Sequence, residues 1–174
     1  MRLARWTLAA FLTALSFSHP ALAEPPAPRD PLLDHLVGKW ILRGTIAGKP
    51  TVHDVAAEWV LNRGYVQLHE VSREKDASGR PAYEAIVYVG VDPSADGYAC
   101  LWLDSTGGGG LEAQAIGHAK RGGDQLEFIF KSASSSVFHT TFAFDSVAGS
   151  WRWLMDEEAG GKLTPFARVT LAKS

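Results

Sequence analysis

Turn-forming clusters interrupt this chain about every 8–14 residues from Trp40 to the C-terminus, and that rhythm restricts the folds open to it. The clusters are at 47–50, 62–64, 76–79, 92–97, 107–110, 121–124, 132–136, 145–149 and 157–161, each rich in Gly, Asn, Asp, Ser or Pro. Between them lie about ten short runs of β-type residues. None of the gaps leaves room for a helical crossover, so successive strands should pair antiparallel, which argues against an α/β enzyme fold.

Alternation within the runs assigns faces. Leu126, Phe128 and Phe130 share one side of their strand, and Gln125, Glu127 and Lys131 the other. Phe138, Phe142 and Phe144 oppose His139, Thr141 and Asp145. Trp151, Trp153 and Met155 oppose Arg152 and Asp156, and Val55, Ala57, Trp59 and Leu61 oppose Asp54 and Glu58. In the run 83–91 both faces are apolar or mixed, and the pattern assigns no side. A meander of this many strands leaves exposed edges unless it closes, which favours a barrel over a sandwich. The expected fold is therefore all-β: a single antiparallel meander closed into a barrel of about 8–10 strands. Pro31-Leu32-Leu33-Asp34-His35-Leu36-Val37 should add one or two helical turns before it, stopped by Gly38. Leu111-Glu112-Ala113-Gln114-Ala115-Ile116 reads as a further strand.

The N-terminus has the three parts of a secretory signal. Arg2 and Arg5 form a basic start, residues 6–17 an apolar centre, and Ala21-Leu22-Ala23 a small-residue exit. The apolar run is too short to span a membrane, which takes roughly 18 residues or more. Residues 1–23 are thus expected to be removed on export to the periplasm or the medium. Residues 24–31, with Pro25, Pro26, Pro28 and Pro31, form an extended leader. Residues 32–174 form the barrel domain.

Charge and cysteine content remove several partners. Lys and Arg number 17 against 19 Asp and Glu, and loss of Arg2 and Arg5 makes the remainder more acidic still. Phosphate neutralisation needs clustered cations, and nothing exceeds Lys120-Arg121, so nucleic acid is excluded as a partner. No basic amphipathic helix points to a membrane surface. Cys100 is the single cysteine, so no intrachain disulfide can form and the core must hold the domain unaided.

Three segments carry a family likeness. Gly38-Lys39-Trp40 opens the first strand, Gly90-Val91-Asp92 precedes a turn that leads to Trp102-Leu103-Asp104-Ser105, and Phe166-Ala167-Arg168 lies in the last strand. Together they resemble a bacterial lipocalin-like (calycin superfamily) family of unknown function over roughly residues 32–172. The resemblance implies an eight- to ten-stranded barrel with a central cavity and brings no catalytic residues. It also implies that Arg168 covers the Trp40 indole, a cation–π contact worth about 0.5–2 kcal/mol. The haem-binding nitrobindin-type barrels share only the glycine-tryptophan opening. Their haem is held by a histidine near the C-terminus, whereas the last histidine here is His139, so no haem or other cofactor is expected.

No motif amounts to a catalytic signature. Asp104-Ser105-Thr106-Gly107 has one residue too many for an aspartic-protease loop, and no second carboxylate loop exists to share a proton. It reads as a strand end whose Asp and Ser bond turn amides. Gly107 to Gly110 lacks the following helix that a phosphate cradle requires. His53-Asp54 and His69-Glu70 are strand neighbours pointing to opposite faces, so neither pair chelates a metal. No Gly-x-Ser-x-Gly elbow is present. Cys100, between Tyr98 and Trp102, reads as a buried apolar side chain rather than a nucleophile.

What remains is the aromatic interior. Trp59, Trp102, Phe128, Phe142 and Trp153 are candidates to line a pocket, with Gln67, His69 and Asp104 as its polar handles. The leading expectation is a barrel that binds a small hydrophobic or amphipathic molecule. The alternatives are an isomerase or hydrolase using His69 or Asp104 in the same cavity, and an envelope scaffold with a filled core.

Overall fold

A computed structural model describes residues 30–92, 94, 96–107, 111–131 and 136–174. The expected signal segment and all but the end of the leader lie outside the described residues. The described residues form a closed ten-stranded antiparallel barrel with one short α-helix. Helix α1 (Pro31–Leu36) leads into β1 (Gly38–Ile46), β2 (Lys49–Val60), β3 (Tyr65–Ser72), β4 (Glu84–Asp92) and β5 (Gly97–Asp104). There follow β6 (Ile116–Ala119), β7 (Arg121–Gly122), β8 (Gln125–Lys131), β9 (Val137–Asp145), β10 (Ser150–Ala159) and β11 (Lys162–Lys173). β6 and β7 both pair with β8 and are one strand interrupted at Lys120. Each strand pairs with its neighbour in sequence, and β1 pairs with β11 to complete the ring.

Two local expectations are corrected. Residues 111–116 are not a strand: Leu111 lies in a turn, Ala113–Ala115 forms a 3-10 turn, and β6 begins at Ile116. The stretch Glu112-Ala113-Gln114-Ala115 has no β-branched or aromatic residue to favour a pleated surface. The turn expected at 157–161 is confined to Gly160 and Gly161, because β10 runs on to Ala159.

The helix plugs one end of the barrel. Asp30 caps it, accepting from the Leu32 and Leu33 amides at 2.8 and 3.4 Å, and its other oxygen accepts from the Tyr98 hydroxyl. Leu32, Leu33 and Leu36 are buried in the barrel interior. Trp40 Nε1 donates to the Leu36 carbonyl at 2.8 Å and Trp151 Nε1 to that of His35 at 3.2 Å. These indoles satisfy carbonyls that a six-residue helix cannot pair internally.

The cation over Trp40 is Lys173, not Arg168. Lys173 Nζ lies 3.6 Å from the ring centroid and donates to the Val37 carbonyl at 3.1 Å. The strand period explains the exchange: Ala167, Val169 and Leu171 face inward, Lys173 shares their phase, and Arg168 has the opposite one. Arg168 instead sits on the outer face, where it bonds the Met155 carbonyl at 2.8 Å and Asp156. That is the place where the β10–β11 register slips, so its guanidinium supplies a donor at the bulge.

Candidate functional site

Read from the plugged end outward, the inward positions of several strands change from apolar to polar. On β2 the order is Ala57, Val55, His53, Thr51; on β3 it is Val66, Leu68, Glu70, Ser72. On β5 Cys100 gives way to Trp102 and Asp104, and on β9 Phe142 to Thr140. Large apolar side chains fill the first half of the barrel: Trp40, Trp151, Trp153, Phe128 and Phe142 are fully buried there. The second half is left hollow, walled by both aromatic and polar side chains. The result is a cavity of about 630 Å³ at the end opposite the helix, within the ~300–1,000 Å³ range of small-molecule sites.

Its apolar wall includes Ile46, Ala115, Phe130, Phe138, Met155 and Phe166. A hydrogen-bonded polar layer crosses the other side. His53 Nδ1 meets Glu70 Oε1 in a short contact, and His53 Nε2 lies 2.7 Å from Thr51 Oγ1. An ionised carboxylate only accepts, so Nδ1 carries the proton and Nε2 can accept from the threonine hydroxyl. Tyr83 stacks on the imidazole at 5.7 Å, and its hydroxyl accepts from Trp102 Nε1 at 3.2 Å. Burial, reinforced by the charges of Glu70 and Asp104, raises the Tyr83 pKa far above its ordinary value. It therefore stays a neutral phenol. Glu70 Oε2 and Thr140 Oγ1, on two residues that line the cavity, are buried without a hydrogen-bond partner.

The sequence candidates divide. Trp102 and Asp104 line the cavity. Phe128, Phe142 and Trp153 belong to the packed half; Trp153 stacks on Phe142 at 4.5 Å and meets Trp102 at 5.3 Å, so it lies beneath the cavity floor. Trp59 is at the helix end, donating from Nε1 to Asp34 at 2.8 Å under the Arg63 guanidinium. Gln67 and His69 are on the outer face, because Val66, Leu68, Glu70 and Ser72 hold the inward phase of β3. His69 pairs there with Glu84 at 2.7 Å. The residues that sequence reasoning missed are Thr51, His53, Glu70 and Tyr83. The signal for the first three was available: polar residues that continue, two positions on, an inward apolar series.

The remaining reactive groups are accounted for. Asp104 Oδ1 accepts from the Thr106 amide at 2.8 Å and from its hydroxyl, so the Asp-Ser-Thr-Gly segment closes a turn. Cys100 is fully buried, and burial pushes its thiol pKa up, which leaves it protonated and inert. Among the described residues no group of three or more His, Cys, Asp or Glu side chains is placed to hold a metal ion.

His139 is on the outer face, between Glu127 at 2.9 Å and Glu158 at 3.0 Å. Burial disfavours its charged form, but the two carboxylates outweigh that and raise its pKa above the ordinary value. A raised folded pKa stabilises fully below the unfolded value of about 6.5 and is lost as pH rises through the folded one. His139→Gln should therefore cost more stability at pH 5.5 than at pH 9, measured by urea unfolding at both. Equal losses would show that the ion pairs contribute nothing.

Neither the protein-family models nor the curated proteins contain a match to this chain.

Proposed function

We propose that this protein is an exported, lipocalin-like barrel that holds a small hydrophobic or amphipathic molecule in its open half. One observation carries the reading: the interior is packed at one end and hollow at the other, and the hollow end combines an apolar wall with a few placed polar groups. A scaffold with a filled core has no use for such a space. Native mass spectrometry of protein recovered from the envelope of its own host tests both parts. The expected result is a chain of residues 24–174 carrying a small-molecule adduct. A full-length chain confined to the cytoplasm would overturn export. Binding would be overturned by a bare chain whose tryptophan emission also fails to respond to the neutral hydrophobic dye N-phenyl-1-naphthylamine, since Trp102 lines the cavity.

A second reading rests on the order of groups along the polar layer. Thr51 hydroxyl, His53 imidazole and Glu70 carboxylate stand in the sequence nucleophile, base and orienting acid. In an acyl-transfer reaction Thr51 Oγ1 would attack an ester carbonyl and pass its proton to His53 Nε2. That proton would then leave with the alcohol, and water would release the acid by the same route. This route replaces His69, which faces away. The test is p-nitrophenyl decanoate: turnover by the wild type and none by Thr51→Val supports it, and equal rates remove it.

A further inference from the structure

We propose that the ligand of this cavity is an amphipathic amine, with a protonated nitrogen held by Glu70 and an apolar body along the aromatic wall. The inference rests on the binding reading above and adds its chemical class.

Glu70 is the first ground. It is 1% exposed, and only one of its carboxylate oxygens has a partner: Oε1 meets His53, while Oε2 is buried and unpaired. A buried acceptor with no donor is costly, and more so on a charged group. The wall can supply no further donor from His53, whose two ring nitrogens already meet Glu70 and Thr51. The Tyr83 hydroxyl accepts from Trp102, and its own O–H does not reach Oε2, which has no partner. What Oε2 lacks is an N–H or O–H from whatever enters.

The charge of the lining is the second ground. Glu70, Glu74, Asp104 and Glu157 all border the cavity, and among the described residues Lys49 is the only Lys or Arg lining it. Even if Glu70 and His53 are counted as a neutral pair, the other three carboxylates outnumber that lysine. A carboxylate or phosphate head would add like charge beside Glu70 and Asp104. A hydroxyl would satisfy Oε2 without balancing the charge. A primary ammonium does both, carrying three donors and a positive charge. Thr140 Oγ1, the other unpartnered oxygen on a lining residue, is a hydroxyl that can accept as well as donate, so it is compatible with an amine without selecting for one.

Calorimetric titration of the purified protein at pH 7 with n-decylamine, decan-1-ol and decanoate, each below its aggregation concentration, decides the class. Decylamine is ionised at that pH, as a lysine is. It should bind about tenfold or more tighter than the alcohol, the expected gain for a hydrogen bond to a charged group, and decanoate should bind weakest. Glu70→Gln should weaken the amine by about tenfold and leave the alcohol nearly unchanged. In the wild type, added salt should weaken the amine alone, a measurement that needs no variant. Alcohol or decanoate binding as tightly as the amine would overturn the amine class and leave the binding reading standing. So would a Glu70→Gln protein that folds and keeps its amine affinity. If none of the three binds, the amine class falls, and the binding reading falls with it if N-phenyl-1-naphthylamine also leaves the tryptophan emission unchanged.

Discussion

Trp153→Ala is expected to lower the unfolding free energy by about 3–5 kcal/mol, the range for removing a large aromatic side chain from a close-packed core. Trp153 is fully buried, stacks on Phe142 at 4.5 Å and supports Trp102 from below at 5.3 Å. Its neighbours are held by strand pairings on both sides, so they cannot collapse into the space. The loss should also be felt above, because the vacated volume lies under the cavity floor. Binding of N-phenyl-1-naphthylamine should change in affinity or stoichiometry in the alanine variant. Trp153→Phe should be much milder. It keeps most of the ring contact and removes an indole N–H that is buried without a partner, which offsets part of the lost area. Urea unfolding of the three proteins gives the comparison. A loss below about 1 kcal/mol for alanine would mean that this half of the barrel is not close-packed, because even the smallest large-to-small core changes cost about that much.

The two halves of the interior were unequally legible in the sequence, and the reason is physical. Leu126, Phe128 and Phe130, or Trp151, Trp153 and Met155, alternate with charged neighbours, and local period fixes which side is buried. On β3 both phases are mixed: Val66, Leu68, Glu70 and Ser72 compete with Tyr65, Gln67, His69 and Val71. Burial of a glutamate is the less obvious outcome of that competition, and His69 was the more attractive inward residue. The choice is made across strands, where Val55 lies opposite Glu70 and His53 opposite Ser72. Such register is not written in either strand alone. The same holds for Trp40: its covering cation is settled by the pairing of Trp40 with Lys173, at the far end of the chain. Helix α1 was easier, since Pro31 at its start and Gly38 beyond its end bracket an apolar run.

The polarity change along the inward positions links fold to function. Close packing of aromatic side chains around the helix provides the stability that lets the other half stay open, so the hollow end need not contribute to holding the ring together. The ring itself depends on one non-local seam. Each of the other pairings joins neighbours in the meander, whereas β1 and β11 come from opposite ends of the domain. Substitutions at that seam should act on barrel closure as a whole, and those around the cavity on ligand affinity.

Gly44→Ala is accordingly expected to be among the most damaging single-methyl changes in the protein. Gly44 lies in β1 opposite Val169 of β11 and has φ +149, a conformation that side chains of L-residues rarely adopt. A Cβ built there would stand 2.1 Å from the Arg168 carbonyl oxygen and 2.8 Å from Val169 Cα. Both obstacles are backbone, so no rotamer change relieves them; β11 must move away from β1. The dihedral strain costs about 1–3 kcal/mol, and overpacking of a fixed neighbour adds about 1–3 kcal/mol more. Together they would consume much of the 5–15 kcal/mol that a domain has in hand. Gly48→Ala separates the two contributions. Gly48 also has positive φ, +74, but a Cβ there meets nothing within 4 Å. It should lose only the strain, about 1–3 kcal/mol, with near-ultraviolet circular dichroism unchanged. The Gly44 variant should unfold at much lower urea concentration or lose that signal altogether, as the seam opens and the aromatic half loses its fixed packing. Equal stability of the two variants would mean that the close approach of β1 to β11 is not what holds the ring closed.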